Sequence, residues 1–195
     1  MVGWWRAALA ALLVAAGSAS ASPAGTVVAI GGALRDDNDA VWSRLVALAG
    51  GSGARYVVFG TASGDPERSA ARVVTLLESR GAEAESLPVA SRLPGVDVAQ
   101  AVRDPELIAR VNAANGMFFT GGAQERIVDA LQPGGHPTPL LEAIRGVLDR
   151  GGVVAGTSAG AAIMSHVMFR DAPDVLAVMK GTLREGKEVD RGLGF

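Results

Sequence analysis

The sequence predicts an α/β fold, a three-layer α/β/α sandwich built on a mostly parallel, doubly wound sheet. Three observations predict it. Short apolar runs recur at 26–30, 56–59, 117–120 and 153–155, with helical patterns between them. The runs are continuously apolar rather than alternating, as in strands covered on both faces. Each ends in a turn of small residues, and right-handed crossovers then place helices on both faces of one sheet. Sites in such sheets form outside the carboxyl ends of the strands. Gly31-Gly32, the 61–64 turn, Gly121-Gly122 and Ser158 are therefore expected along one rim.

Before the first strand, residues 1–21 read as a secretory signal. Arg6 gives the positive start, 7–16 the apolar stretch, and Ala19-Ser20-Ala21 a cleavage site, so the mature chain is expected to begin at Ser22. The apolar stretch is too short to span a bilayer. The expected location is secreted or periplasmic. Residues 22–195 then form one domain, long enough to bury about 70% of its unfolded surface.

The helices carry their own start and stop signals. Asp37 or Asn38 caps a helix facing inward through Val41, Leu45 and Leu48 and stopped by Gly50-Gly51. Asp65-Pro66 places an N-cap before a proline at the first helical position, and Ala70, Val73, Val74 and Leu77 share the face that follows, up to Gly81. Residues 84–89 read as a weaker third strand. Asp104-Pro105 repeats the cap before Leu107, Ile108 and Val111, with Gly116 as the stop. A short helix is expected over 124–131. Thr138-Pro139 opens another, with Leu140, Leu141, Ile144, Val147 and Leu148 inward and Gly151-Gly152 at its end.

Composition narrows the function. A formal net charge of −2 and a pI near 5.7 argue against nucleic acid as a partner. No cysteine is present, which removes disulfides and a cysteine nucleophile together. Two histidines without zinc-ligand spacing argue against a structural metal site, and no cofactor is expected.

The chemistry concentrates in the last strand and its turn, Val153-Val154-Ala155-Gly156-Thr157-Ser158-Ala159-Gly160-Ala161-Ala162. The turn spells G-x-S-x-G. In a nucleophile elbow the serine sits in a strained conformation between strand and helix, with its hydroxyl above the sheet edge. Side chains two residues either side would collide, which is why Gly156 and Gly160 are needed. The N–H of Ala159 lies at a helix N-terminus, where it can bind an oxyanion. The plainer alternative is a glycine-rich turn with a capping serine.

Four stretches in order carry a resemblance. Gly156-Thr157-Ser158-Ala159-Gly160-Ala161-Ala162 resembles the nucleophile motif of the cyanophycinase-like serine peptidases, which include the aspartyl dipeptidases. Val28-Ala29-Ile30-Gly31-Gly32-Ala33, Thr61-Ala62-Ser63-Gly64-Asp65-Pro66 and Phe118-Phe119-Thr120-Gly121-Gly122-Ala123-Gln124 resemble three further stretches of that family. The resemblance implies a class I glutamine amidotransferase-like fold, and Ser158 as nucleophile of an exopeptidase acting on β-aspartyl-arginine or Asp-containing bonds. It implies Gly122 as the second oxyanion donor beside Ala159, and Gly121 and Gln124 against the substrate. Ala123 departs from the acidic or amide residue common in the family. The expected partner is a peptide, with a homodimer admitted and no membrane once the signal is removed.

A serine nucleophile needs a base within hydrogen-bond reach. His166 falls eight residues after Ser158 on what reads as one helix, about 12 Å along the axis. His136 sits in a Pro-Gly-Gly-His-Pro loop. The resemblance implies a different histidine, in a D-Q-H stretch after a Gly-Leu-Gly segment and followed by substrate-holding arginines. The chain reads Gly192-Leu193-Gly194-Phe195 at its end, so base and arginines are expected beyond residue 195, and the domain is expected to lack its C-terminal part. Two other readings stay open: an inert binding homologue, and an α/β-hydrolase esterase sharing G-x-S-x-G.

Overall fold

Five parallel strands form the central sheet: β1 Thr26–Ile30, β2 Arg55–Phe59, β3 Glu83–Ser86, β4 Gly116–Phe119 and β5 Val153–Thr157, in the order β1-β5-β4-β2-β3. The computed structural model describes residues 25–170 and 175–195. The export signal read at 1–21 lies outside the described residues. All four ladders are parallel, and Ile30 pairs with Thr157 while Phe119 pairs with both Phe59 and Gly156. The strands therefore end nearly level, and their turns share one rim, as expected.

The pleat divides the core in two. Val57, Phe59, Met117, Phe119 and Val154 face one apolar cluster, and Tyr56, Val58, Phe118, Val153 and Ala155 face the other. Helices α1 Asp39–Leu48 and α2 Pro66–Glu78 cover the second face through Trp42, Leu45, Ala70, Val73 and Leu77. The first face is covered by α4 Pro105–Ala113, α5 Gln124–Leu131 and α6 Pro139–Asp149, with a four-residue helix α3 Val98–Ala101 leading into α4. The result is the three-layer α/β/α sandwich.

The capping signals act where the sequence places them. Asn38 accepts from the Val41 N–H at 3.3 Å, Asp65 from Arg68 at 3.1 Å, Asp104 from Glu106 at 2.8 Å and Thr138 from Leu141 at 3.3 Å. Each is worth about 1 kcal/mol.

Three boundaries differ from expectation. The third strand is Glu83–Ser86 and stops short of Val89, because Pro88 has no N–H to donate to a ladder. Gly116 does not end a helix: α4 ends at Ala113, and Gly116 begins β4 with its Cα side against the Tyr56 ring. The helix after the elbow, α7 Ala159–Ala162, is a single turn. The chain then forms β6 Val167–Phe169, which pairs antiparallel with β7 Val189–Arg191; the short helix α8 Val175–Met179 lies between them in sequence. Arg170 fastens this hairpin to α5 by two contacts to Asp129, at 2.6 and 2.7 Å, and one to Asp190 at 2.6 Å.

Candidate active site

Ser158 adopts φ 54° and ψ −114°, outside the regions open to ordinary side chains. Holding it there costs about 1–3 kcal/mol, which the surroundings must offset. Three contacts do so. Its N–H donates to the Ile30 carbonyl at 3.0 Å, extending the β1–β5 ladder by one bond. The Thr157 hydroxyl donates to the Gly31 carbonyl at 2.9 Å. Its own carbonyl accepts from Ala161 and Ala162, both at 2.9 Å, which starts α7. The side chain is exposed, and Oγ has no hydrogen-bond partner among the described residues.

The glycines on either side are fixed by backbone contact. A Cβ on Gly156 would stand 2.4 Å from the Gly160 carbonyl oxygen, and one on Gly160 would stand 2.3 Å from that of Phe119. The elbow is thus pressed onto itself and onto β4. The turn after β4 closes in from the same side: a Cβ on Gly121 would lie 3.1 Å from the Ser158 Cβ. Gly122 has φ 142°, and its side-chain direction is blocked by the Ala62 carbonyl oxygen at 2.0 Å. That carbonyl accepts from the Ala123 N–H and from Arg126, both at 2.9 Å, joining the 61–64 turn to the 121–123 turn. The N–H groups of Gly121, Gly122 and Ala159 donate to no acceptor among the described residues. Two sources of free donors therefore flank one free hydroxyl.

A cavity of about 820 Å³ opens beside Ser158. Trp42, Val73 and Phe118 make its apolar wall, with the Trp42 and Phe118 rings 5.5 Å apart. Thr120, Gly121 and Thr157 line the side next to the elbow, and Arg35, Arg68 and Arg72 the outer rim. Arg35 pairs with Asp37, holding that carboxyl below its ordinary range, and Arg72 pairs with Asp36. Thr120 is 4% exposed, and its hydroxyl has no partner among the described residues. Sequence reasoning assigned no role to Thr120, Arg68 or Arg72. Only the placement of Asp65-Pro66 at the strand rim hinted that the first turn of α2 borders the site.

The structure does not gather every expected residue at this cavity. Gln124 donates its amide to the Phe169 carbonyl at 2.7 Å and is absent from the cavity lining. His136 is exposed on the loop before α6. His166 is not on the serine's helix, which ends at Ala162; the ring stands against Gly194 and lines a separate cavity with Gln132 and Arg145. Neither histidine lines the cavity at Ser158. Among the described residues no cluster of three metal-ligating side chains occurs.

The sequence profile of peptidase family S51 matches residues 27–181, which include every rim turn described above. The chain is 36% identical over 124 residues to a cyanophycinase of Trichormus variabilis, covering 62% of this chain and 38% of that one. It is 33% identical over 147 residues to the cyanophycinase of Geminocystis herdmanii, covering 74% and 50%. The chain thus spans half or less of the length of these curated relatives. Among solved structures, a peptidase from an acI-B1 Actinobacterium superposes with a TM-score of 0.60 at 22% identity, over 76% of this chain and 60% of that chain. A putative peptidase E of Listeria monocytogenes EGD-e gives 0.54 at 15% identity, over 87% and 74%. These two share the fold. The match across the strands, the rim turns and the elbow means that the chain belongs to peptidase family S51.

Proposed function

We propose that this chain is the nucleophile-bearing part of a serine-type exopeptidase that cleaves β-aspartyl-arginine or other Asp-containing peptide bonds. The observation that carries the reading is the strained Ser158, its free hydroxyl set between the unpaired N–H of Ala159 and those of the 121–122 turn. Ser158 Oγ attacks the scissile carbonyl. The carbonyl oxygen gains charge and takes hydrogen bonds from Ala159 and from Gly121 or Gly122. Collapse expels the amine and leaves an acyl-enzyme on Ser158, which water then hydrolyses. Donors fixed before the charge develops need no reorganisation, and losing one costs about 10²–10³ in kcat.

The hydroxyl proton needs an acceptor, and the resemblance assigns it to the D-Q-H histidine. Losing such a histidine costs about 10⁶ in kcat in a comparable triad. Since His136 and His166 do not line the cavity, the chain of residues 1–195 is expected to show trace hydrolysis at most. The second reading is a binding homologue without catalysis. Export through residues 1–21, a peptide partner and self-association belong to the proposal as well.

One experiment separates the two readings. The protein is extended with the family's D-Q-H segment and assayed against β-aspartyl-arginine polymer and Asp-containing dipeptides. Hydrolysis is expected there, and Ser158→Ala in the same protein removes it. Turnover that survives Ser158→Ala means that the nucleophile is another group. An extended protein that binds peptide without cleaving it supports the binding homologue.

A further inference from the structure

Gly121 and Gly122 have no side chains, so whatever steadies their turn must reach it from outside. Gly122 rests on the 62–63 peptide: a Cβ there would stand 2.0 Å from the Ala62 carbonyl oxygen and 2.9 Å from the Ser63 nitrogen. The Ala123 N–H, on the peptide that follows Gly122, donates to that same oxygen at 2.9 Å. The 61–64 turn is therefore a platform under the free donors of the 121–122 turn. Their aim is only as steady as that platform.

Arg126 grips the platform. Its Nη1 donates to the Ala62 carbonyl at 2.9 Å and to the Ser63 carbonyl at 3.2 Å. The residue stands in the first turn of α5, where helix formation gives no reason for an arginine. The macrodipole opposes a cation at a helix N-terminus. Arg126 makes no ion pair among the described residues that would offset this. The entry to α5 is also poorly held by its own residues. Side chains cap α1, α2, α4 and α6, but Ala123 gives α5 no such bond. Among the described residues Arg126 is thus the side chain that ties this helix entry to the 61–64 turn.

We propose that Arg126 is a positioning residue of the oxyanion hole: by holding the Ala62 and Ser63 carbonyls, it keeps the N–H groups of the 121–122 turn set beside Ser158. This rests on the reading of Ser158 as the nucleophile and of that turn as its second donor. Arg126 does not line the cavity, so it acts through the turn and not on the bound peptide. A donor turn that wavers must be ordered again as charge develops, which forfeits part of its advantage. The loss therefore falls on the tetrahedral anion, whose oxygen needs both donors.

The test is titration of the full chain with benzeneboronic acid, followed by boron-11 NMR. Ser158 Oγ bonds to boron, its proton passes to buffer, and the adduct is a tetrahedral anion like the intermediate. The tetrahedral signal is expected in the unmutated chain and absent in Ser158→Ala. Arg126→Met keeps the length of the side chain and removes its donors, and is expected to weaken the adduct at least about tenfold. Arg126→Lys, which can still donate to a carbonyl, recovers part of that loss. If Arg126→Met does not fold, Arg126→Gln takes its place, since glutamine is too short to grip both carbonyls. Amide spectra tell positioning from general loosening: the Gly121 and Gly122 signals move in Arg126→Met while that of Ala159 stays. Equal boronate affinity in Arg126→Met, or an Ala159 signal that moves as far as the other two, overturns the proposal. A signal that depends on Ser158 but not on Arg126 leaves the nucleophile reading standing and removes the role of Arg126 alone. Absence of the signal in the unmutated chain removes both.

Discussion

Gly160→Ala isolates the contact on which the elbow depends. The new methyl would sit 2.3 Å from the Phe119 carbonyl oxygen and 2.8 Å from its carbonyl carbon and Cβ. Two of these are backbone atoms of a central strand, so no flexible side-chain end can turn away. Forcing an extra methyl into such a site costs about 1–3 kcal/mol, and the 2.3 Å approach places this one at the upper end. Alanine in place of a helical glycine returns at most about 1 kcal/mol. The larger effect wins, with a net loss of about 2 kcal/mol. For a domain of this size that lowers Tm by about 4–8 °C. The assay is thermal unfolding followed by far-ultraviolet circular dichroism, with Gly64→Ala beside it. A methyl on Gly64 meets nothing within 4 Å, and its φ is not in the left-handed region, so its Tm is expected to match the unmutated protein. A Gly160→Ala protein as stable as the Gly64→Ala protein would refute the packing argument.

Two further outcomes follow from single groups. Tyr56→Phe removes a buried hydroxyl that donates to the Leu45 carbonyl at 2.7 Å and ties β2 to α1; urea titration should show a loss of about 1 kcal/mol with unchanged m, and no loss would mean that the bond is idle. The carboxyl of Glu188 is held at about 2, first by Arg184 and also by Lys187. Its folded value lies below its unfolded one, so its contribution to stability is full above the ordinary carboxylate range and disappears as pH falls towards about 2. Glu188→Gln should flatten the acid side of a stability–pH curve, and an unchanged slope there would contradict the assignment.

The sheet was legible because its signals are local. The runs at 26–30, 56–59, 117–120 and 153–155 carry their burial in their own composition, and each glycine turn falls where a strand must stop. What the sequence misplaced depends on remote partners. Residues 159–166 read as one helix because alanine, isoleucine and methionine favour it. In the structure their carbonyls are taken by the chain's last residues. Leu193 donates to Ile163 at 2.6 Å, Phe195 to Met164 at 3.1 Å, Gly194 to Ser165 at 3.2 Å and Gly192 to His166 at 3.1 Å. No periodicity in 159–166 announces that capture, so His166 was placed on a helix that the fold does not make. Gln124 is similar: its motif pointed to substrate, while its amide is held by a β6 carbonyl contributed 45 positions later in the chain. Thr120 was hidden for the opposite reason. It reads as the last residue of an apolar strand, and only the geometry leaves its hydroxyl unpaired.

The same backbone contacts that make the elbow compact also set the spacing of its donors. Gly160 rests on Phe119, and the turn carrying Gly121 and Gly122 begins one residue further on. The N–H of Ala159 and those of the 121–122 turn are therefore held at a distance fixed by one β4–α7 contact rather than by side chains that could rotate. Phe119 is clamped in turn, paired to Phe59 and Gly156 and with its ring 4.8 Å from that of Phe59. An oxyanion hole works only if its donors stand in place before charge develops. In the proposed hole that rigidity comes from the centre of the sheet, and the strain at Ser158 is borne by the ladder bond to Ile30 and the first turn of α7. Packing and chemistry thus depend on the same few atoms. If the proposed oxyanion hole operates, a substitution at Gly160 is expected to lose oxyanion stabilisation along with stability.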